Sequence, residues 1–211
     1  MSLREAKKQR ARQDILAAAR ELIDADGYEQ TTMRDIAAAA ELSYQTLYNY
    51  FPTKALILQA LLLEDVNHVA AAMDALVAEH AAGNRPLLPT LHAMFREDLD
   101  AVSQRDRESW RVVAVDYMQQ QGEAAHLYEL IDAKSHENLL SLLESARAQG
   151  ELVKSVDPQL LADTLFSISY HAVWRYILEP STAKSELLAA LEAQTSLLLT
   201  PYLQRQPTTF G

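Results

Sequence analysis

The sequence predicts an all-α fold, on three observations. Glycine is scarce, 5 of 211 residues or about 2.4%, against the usual ~7%, so few turns can demand a positive φ. Gly27, Gly83, Gly122, Gly150 and Gly211 all fall between long stretches rich in Ala, Leu, Glu and Gln, which are strong helix formers. Within those stretches apolar residues recur at helical spacing.

The first helix starts at Ser2, whose hydroxyl can cap while Glu5 reaches back in an S-x-x-E box; Ile15, Leu16, Ala19, Leu22 and Ile23 form its apolar stripe and Gly27 supplies a left-handed stop. Thr32 can cap a short helix to about Ala40. A second short helix opens at Ser43 and must end at Phe51, because Pro52 has no amide hydrogen to continue it. Joined by Glu41-Leu42, the pair reads as a helix-turn-helix. A long helix from Thr53 to about Ala82 is apolar nearly all round in its first half, as suits an element buried between two parts of a protein. Further helices are expected over Leu87–Gln104, Arg105–Gln121 stopping at Gly122, Glu123–Gln149 stopping at Gly150, Asp157-Pro158 to Leu178, and Thr182–Leu199. The expected organisation is a three-helix head (1–52), a larger helical domain (53–204) and a frayed tail (205–211).

Net charge is 19 − 29 = −10, which taken whole argues against a polyanionic partner. It is unevenly spread. Residues 1–60 hold eight basic and eight acidic side chains, and residues 61–211 hold 11 against 21. The first twenty residues carry six basic groups against Glu5 and Asp14. No cysteine is present, so disulfides, thiolate nucleophiles and Cys-ligated metals are excluded. No apolar run follows the N-terminal charges, and the most apolar run, Ala55 to Leu63, is interrupted by Gln59 and short of the ~20 residues of a spanning helix. A cytoplasmic protein without a membrane partner is expected.

In the second short helix Leu47 and Phe51 face the same way as Ile36, Ala40 and Leu42, which leaves Tyr44, Gln45, Tyr48 and Asn49 pointing outward. Two aromatic and two amide side chains there have no packing purpose. Gln and Asn can make paired hydrogen bonds to adenine, and Tyr hydroxyls suit phosphate oxygens. Thr31 or Thr32, and Ser43, sit at helix starts whose backbone amides can take a phosphate.

The run Thr32-x-Arg34-x-Ile36-Ala37…Ser43-x-x-Thr46-Leu47-Tyr48-x-Tyr50-Phe51-x-x-Lys54 resembles the DNA-binding region of TetR-type transcriptional regulators. The resemblance implies phosphate anchoring by Thr32, Thr46, Tyr48, Tyr50 and Lys54, and base reading by Arg34, Tyr44 and Gln45, with Asn49 open between roles. Lys7, Lys8 and Arg10 could reach backbone or minor groove. The family usually has a glycine between the two short helices, where this chain has Glu41; a left-handed glutamate costs on the order of 1 kcal/mol.

For the rest of the chain the resemblance implies an effector pocket and a dimer interface, hence a homodimer on a palindromic double-stranded DNA operator. The interface residues expected are Leu161, Leu165 and Ile168 with Leu187, Leu191 and Leu198, giving a four-helix bundle between two copies; ordinary intramolecular core is the alternative. Pocket candidates are Trp110, Arg111, Tyr117, Met118, Tyr128, Tyr170, His171 and Trp174, with Arg175 as a further anion partner, around a partly apolar small molecule. The function expected is a ligand-released repressor, with neither enzymatic activity nor a cofactor. Two other readings stand beside it. Glu123-x-x-His126 and Asp65-x-x-His68, with Glu64 or Glu129, could be ligands of a di-metal carboxylate enzyme. The Tyr44/Gln45/Tyr48 face could bind protein instead of DNA.

Overall fold

The computed structural model describes residues 2–118 and 122–204, with the side chains of all of these except 113, 116–118 and 122–128. Among the described residues there are nine α-helices: α1 (Leu3–Asp26), α2 (Met33–Ala39), α3 (Tyr44–Tyr50), α4 (Lys54–Ala81), α5 (Leu87–Ser103), α6 (Arg107–Met118), α7 (Gly122–Ala148), α8 (Pro158–Leu178) and α9 (Lys184–Leu199). A short 3-10 turn, Thr200–Tyr202, follows α9. The tail expected to fray, 205–211, lies outside the described residues.

Most helix ends obey their local chemistry. Ser2 and Glu5 form the reciprocal capping box of α1, and Thr32 and Asp35 form that of α2. Thr53 accepts from the Leu56 amide at the start of α4, and Asp157 caps α8 ahead of Pro158. Gly27 ends α1 at φ 87, ψ 159, a positive φ but an extended backbone in place of the expected left-handed turn.

Three ends differ from expectation. α6 starts at Arg107, not Arg105, because the Asp106 carboxylate takes the Ser109 amide at 2.8 Å and so sets the cap there. Gly122 is the first residue of α7 and not a break before it. α9 starts at Lys184: the Thr182 hydroxyl donates to Glu179 Oε2 at 2.9 Å and does not cap.

The chain divides into two compact units. The first holds residues up to 66 with 104–128, the second 67–103 with the chain from 129 onward. The first division between these units falls inside α4, beyond the expected head of residues 1–52. In the first half of α4, Ile57, Leu58, Leu61 and Leu62 are 0% exposed, and Arg20 on α1 holds Glu64 and Asp65 at 3.1 and 2.7 Å. By length and composition α4 could cross a membrane, but burial of those four residues within the protein accounts for the same apolarity.

The core of the second unit is built from Leu87, Leu91, Phe95 and Leu99 of α5, Leu139, Leu142 and Leu143 of α7, Leu161 and Leu165 of α8, and Leu187, Leu188 and Leu191 of α9. Leu161, Leu165, Leu187 and Leu191, at most 7% exposed, are thus spent inside a single chain. That burial favours intramolecular core, the alternative reading of these four leucines; Ile168 and Leu198 are partly buried against the same core. A pairing the periodicity had no means of showing joins Leu152 to Leu203 as an antiparallel bridge, with Val153 N donating to Tyr202 O at 2.9 Å and Gln204 N to Glu151 O at 2.7 Å.

Candidate nucleic-acid interface

α2 and α3 are two turns each and cannot be stable alone, so tertiary packing must hold them. Ile36, Ala37, Leu47 and Phe51 supply it, all at most 5% exposed. Arg12 of α1 lies over the Phe51 ring, 5.2 Å from its centroid. The link between α2 and α3 is a Schellman turn: Leu42 N donates to Ala37 O at 2.8 Å and Glu41 N to Ala38 O at 3.1 Å. Glu41, at φ 55, is the one non-glycine with positive φ among the described residues.

Burial of Leu47 fixes the rotation of α3, and the outward side chains follow in two columns. Tyr44 and Tyr48 are 49% and 46% exposed. Gln45 and Asn49 are exposed beside them, and Gln45 Nε2 donates to Asn49 Oδ1 at 3.3 Å. That bond leaves Gln45 Oε1 as acceptor and the Asn49 amide hydrogens as donors, the complement a base edge requires. At the N-cap, Ser43 Oγ accepts from Thr46 N at 3.1 Å and lies 2.7 Å from Thr46 Oγ1. Tyr50 and Thr46 are half-buried, and Arg34 is exposed on α2. Lys7, Lys8 and Arg10 are exposed along α1.

Two of the expected phosphate anchors are engaged elsewhere. The Thr32 hydroxyl donates to Asp35 Oδ2 at 2.6 Å and accepts from Asp35 N at 3.2 Å, and Thr32 N also donates to Asp35 at 3.0 Å. Bonds from the Thr32 side chain, then from its backbone, hold the Asp35 carboxyl below its usual range, so an anion already occupies this helix start. Thr31 is no substitute: it is 3% exposed and its hydroxyl donates to Gly27 O at 2.9 Å. Lys54 Nζ donates to the carbonyls of Tyr28 at 2.6 Å, Thr31 at 2.9 Å and Glu29 at 3.4 Å, over the Tyr28 ring at 4.1 Å. It closes the 28–31 loop onto the start of α4, and its ammonium is directed inward.

Sequence reading missed an ion network in the same unit. Arg105, 5% exposed, donates to Asp65 Oδ2 at 2.6 Å and lies 3.3 Å from Asp24, while Arg20 holds the other Asp65 oxygen. Burial pushes the Arg20 guanidinium down, but the hydrogen bonds and charges of Asp65 and Glu64 outweigh it and raise the pKa above its usual value. A buried arginine just before a cap was the only signal available. The network also spends Asp65, which the metal reading had paired with His68. Among the described residues no three His, Asp or Glu side chains come together as metal ligands; the side chains of Glu123 and His126 lie outside them.

The pocket candidates are drawn from both units. Trp110, 5% exposed, and Arg111, 3.4 Å from Glu108, belong to the first unit. Tyr170, Trp174 and exposed His171 belong to the second. Arg175 is 3.1 Å from Glu179, and Tyr117, Met118 and Tyr128 have side chains outside the described residues.

Two short helices with a buried seam and a polar, solvent-facing second helix define a helix-turn-helix of the DNA-binding class. Comparison with known proteins makes the class particular. Residues 15–61 match the family model "Bacterial regulatory proteins, tetR family". The chain is 33% identical over 106 residues to the HTH-type transcriptional regulator TcmR of Streptomyces glaucescens, a match covering 50% of this chain and 44% of TcmR's length. A crystal structure from Mesorhizobium loti assigned to the TetR-family regulators is similar at TM-score 0.70, with 19% identity over 93% of this chain and 98% of that one. The TetR-family repressor FadR of Thermus thermophilus, in complex with lauroyl-CoA, is similar at TM-score 0.66, with 23% identity over 95% and 99% of the two chains. Residues 15–61 thus carry a regulatory domain of the tetR family, and the chain as a whole shares the fold of TetR-family transcriptional regulators.

Proposed function

We propose that the chain is a homodimeric repressor, acting in the cytoplasm, that binds a palindromic operator in double-stranded DNA and leaves it when a small molecule enters the second unit. The observation that carries the reading is the outer face of α3, where the Tyr44/Tyr48 and Gln45/Asn49 columns stand exposed on a helix whose rotation Leu47 fixes. Gln45 and Asn49 read base edges with Tyr44 and Arg34. Ser43, Thr46, Tyr48 and Tyr50 contact phosphates. Thr32 and Lys54 shape the head and touch DNA only through the backbone they hold.

A dimer brings two heads to half-sites ~34 Å apart. Its interface is drawn from side chains that α8 and α9 leave outward: Leu160 at 65% and Leu197 at 79% exposure, with exposed Ala193 and Ala189 one and two turns before Leu197. Release runs through α4, which begins at Lys54 against the 28–31 loop and continues as one helix into the second unit. An effector that favours the non-binding arrangement by a few kcal/mol suffices to move the population. The lauroyl-CoA bound by the T. thermophilus repressor supports ligand control as a mode, without transferring its ligand.

The test is titration of labelled DNA from the region upstream of the protein's own gene at several salt concentrations. Sequence-selective binding with a steep negative salt slope is expected. Gln45→Ala should relax preference at one base position, at a cost of about 1–3 kcal/mol. Absence of selectivity at low salt overturns the proposal, and an unchanged preferred sequence in Gln45→Ala removes that residue's role.

A further inference from the structure

A lysine ammonium has three hydrogens to donate and accepts none. At Lys54 all three find carbonyl oxygens: Nζ donates to Tyr28 O at 2.6 Å, Thr31 O at 2.9 Å and Glu29 O at 3.4 Å. The same nitrogen stands 4.1 Å from the centroid of the Tyr28 ring, whose face attracts a cation. Hydrogen bonds from a charged donor are roughly twice as strong as neutral ones. A phosphate oxygen could be met only by breaking one of them, which would leave a carbonyl without its donor. In this arrangement Lys54 has no hydrogen left for DNA.

The loop that the ammonium gathers lies between Gly27, which ends α1, and Thr32, which caps α2. Gly27 O accepts both the Thr31 amide at 3.3 Å and the Thr31 hydroxyl at 2.9 Å. Thr31 is 3% exposed and Tyr28 8%, so the loop turns its side chains as well as its carbonyls inward. The Thr31 carbonyl belongs to the peptide that enters Thr32, whose hydroxyl and backbone form the α2 capping box with Asp35. Lys54 for its part is the first residue of α4. Its ammonium therefore joins the start of α4 to the cap of α2, across 23 residues of sequence.

The other end of the α3–α4 link is held as well. Phe51 closes α3 and is 5% exposed, with the Arg12 guanidinium of α1 5.2 Å from its ring centroid. Only Pro52 and Thr53 separate it from Lys54. Helices of two turns do not set their own orientation. The buried seam of Ile36, Ala37 and Leu47 fixes α2 and α3 to each other, and the three carbonyl bonds fix the α2 end of that pair to α4.

We propose that Lys54 is the positioning residue of the head: its ammonium pins the 28–31 loop, and through it α2, to the start of α4, and the selectivity of DNA binding depends on this pin and not on a phosphate contact by Lys54. A displacement of the start of α4 is then delivered to α2 through the pin as well as to α3 through the chain, so the two short helices move as one. The role in selectivity rests on the DNA-binding reading above. The pin itself belongs to the free protein.

The test compares Lys54→Met, Lys54→Arg and Thr31→Val with wild type in the full chain. Each is titrated over a range of salt with the labelled upstream DNA and with a scrambled duplex of the same length and composition. Loss of a phosphate contact would lower the salt slope by about 0.9 and weaken both duplexes alike. The pin gives the opposite pattern: Lys54→Met should lose about tenfold or more on the upstream DNA, stay within about twofold on the scrambled duplex, and keep the wild-type slope. Lys54→Arg retains the charge, but a planar guanidinium cannot aim its hydrogens at three carbonyls around one point, so it should lose selectivity too. Thr31→Val, at a position too buried to touch DNA, should show the same pattern to a smaller degree.

In the free protein, exchange of the Thr31 and Ile36 amides, bonded to Gly27 O and Thr32 O, should quicken about tenfold in Lys54→Met while α5 keeps its protection. Retained protection in α5 shows that a variant is folded, and Lys54→Arg decides alone where Lys54→Met is not. A slope lowered by about one with equal losses on both duplexes makes Lys54 a phosphate anchor and overturns the proposal. Wild-type binding of the upstream DNA by Lys54→Arg, or unchanged exchange at Thr31 and Ile36 in Lys54→Met, overturns it as well. Absence of selectivity in the wild-type protein overturns the repressor reading and leaves the pin to be decided by exchange.

Discussion

The two units handle interior charge in opposite ways. In the first, Arg105 at 5% exposure meets Asp65 and Asp24, Arg20 takes the second Asp65 oxygen, and Lys54 is directed at three carbonyls. In the second, Asp98 and Asp132 face the core with no cation supplied by a described residue. Both arrangements place ionisable groups on helices packed into apolar surroundings, so burial alone does not say what such a group is for. A charge whose partners are built in is a fastener: it fixes α1, the 28–31 loop and α4 as one piece on which α3 is displayed. A charge without partners is a cost to the folded state.

The contrast breaks first at Arg105. Arg105→Met keeps the aliphatic stem and removes the charge from Asp65 and Asp24. Breaking a buried pair costs 3–5 kcal/mol as a rule, and because Arg20 still holds Asp65 the lower end applies, about 3 kcal/mol. At ~2–4 °C per kcal/mol for a chain of this size, thermal unfolding should show a fall of about 9 °C. Arg96→Met, which removes a pair with side chains 56% and 37% exposed, should move the midpoint by about 1 °C. Equal shifts would mean that the interior network fastens nothing.

How legible these features were in the sequence differs by region for a physical reason. The head could be placed nearly to the residue, because caps, the Pro52 stop and the buried Leu47 and Phe51 act over three to five positions. Even Glu41 was readable as a left-handed residue. Lys54 shows the limit. The family resemblance implied a phosphate anchor there, but the direction of its ammonium depends on carbonyls 23 to 26 residues away. In the second unit periodicity gave the helices but not which of two apolar neighbours each stripe meets. The leucines of α8 and α9 looked alike whether they faced their own chain or a partner. Leu161 and Leu191 are buried in their own chain, and Leu160 and Leu197 stand exposed on it. Arg105 and Asp98 were invisible for the same reason: a charged residue on a helix is assumed to face water until packing is known.

Asp98 is expected to move stability the other way. Its carboxyl pKa is raised to about 7 in the folded chain from an ordinary 3.8. The folded state therefore holds the proton more tightly than the unfolded state, and the protonated group costs least below about pH 4. As pH rises from 4 to 7 the unfolded state ionises first, and Asp98 subtracts stability until both states are ionised. Asp98→Asn removes that loss. Its melting temperature should match wild type near pH 4 and exceed it by about 3 °C or more at pH 8. A difference that does not grow with pH would show that Asp98 is compensated after all, and would bring the second unit into line with the first.

A further comparison lies within the head. The helix ends at Gly83 and Gly150 show the same pair of hydrogen bonds as the turn between α2 and α3, with φ 75 and 79 against 55 at Glu41. Three turns of one geometry thus carry two glycines and one glutamate. A side chain at positive φ costs on the order of 1 kcal/mol, and a negative charge beside bound DNA adds repulsion that salt screens. Glu41→Gly should raise the melting temperature by about 3 °C and tighten operator binding about threefold at low salt, with the gain shrinking as salt rises. Glu41→Gln separates the two contributions, because it keeps the strained backbone and removes the charge. It should reproduce the gain in DNA affinity without the gain in stability. If Glu41→Gln instead stabilises the protein as much as glycine does, the cost at this turn is electrostatic and the backbone at φ 55 is borne without strain.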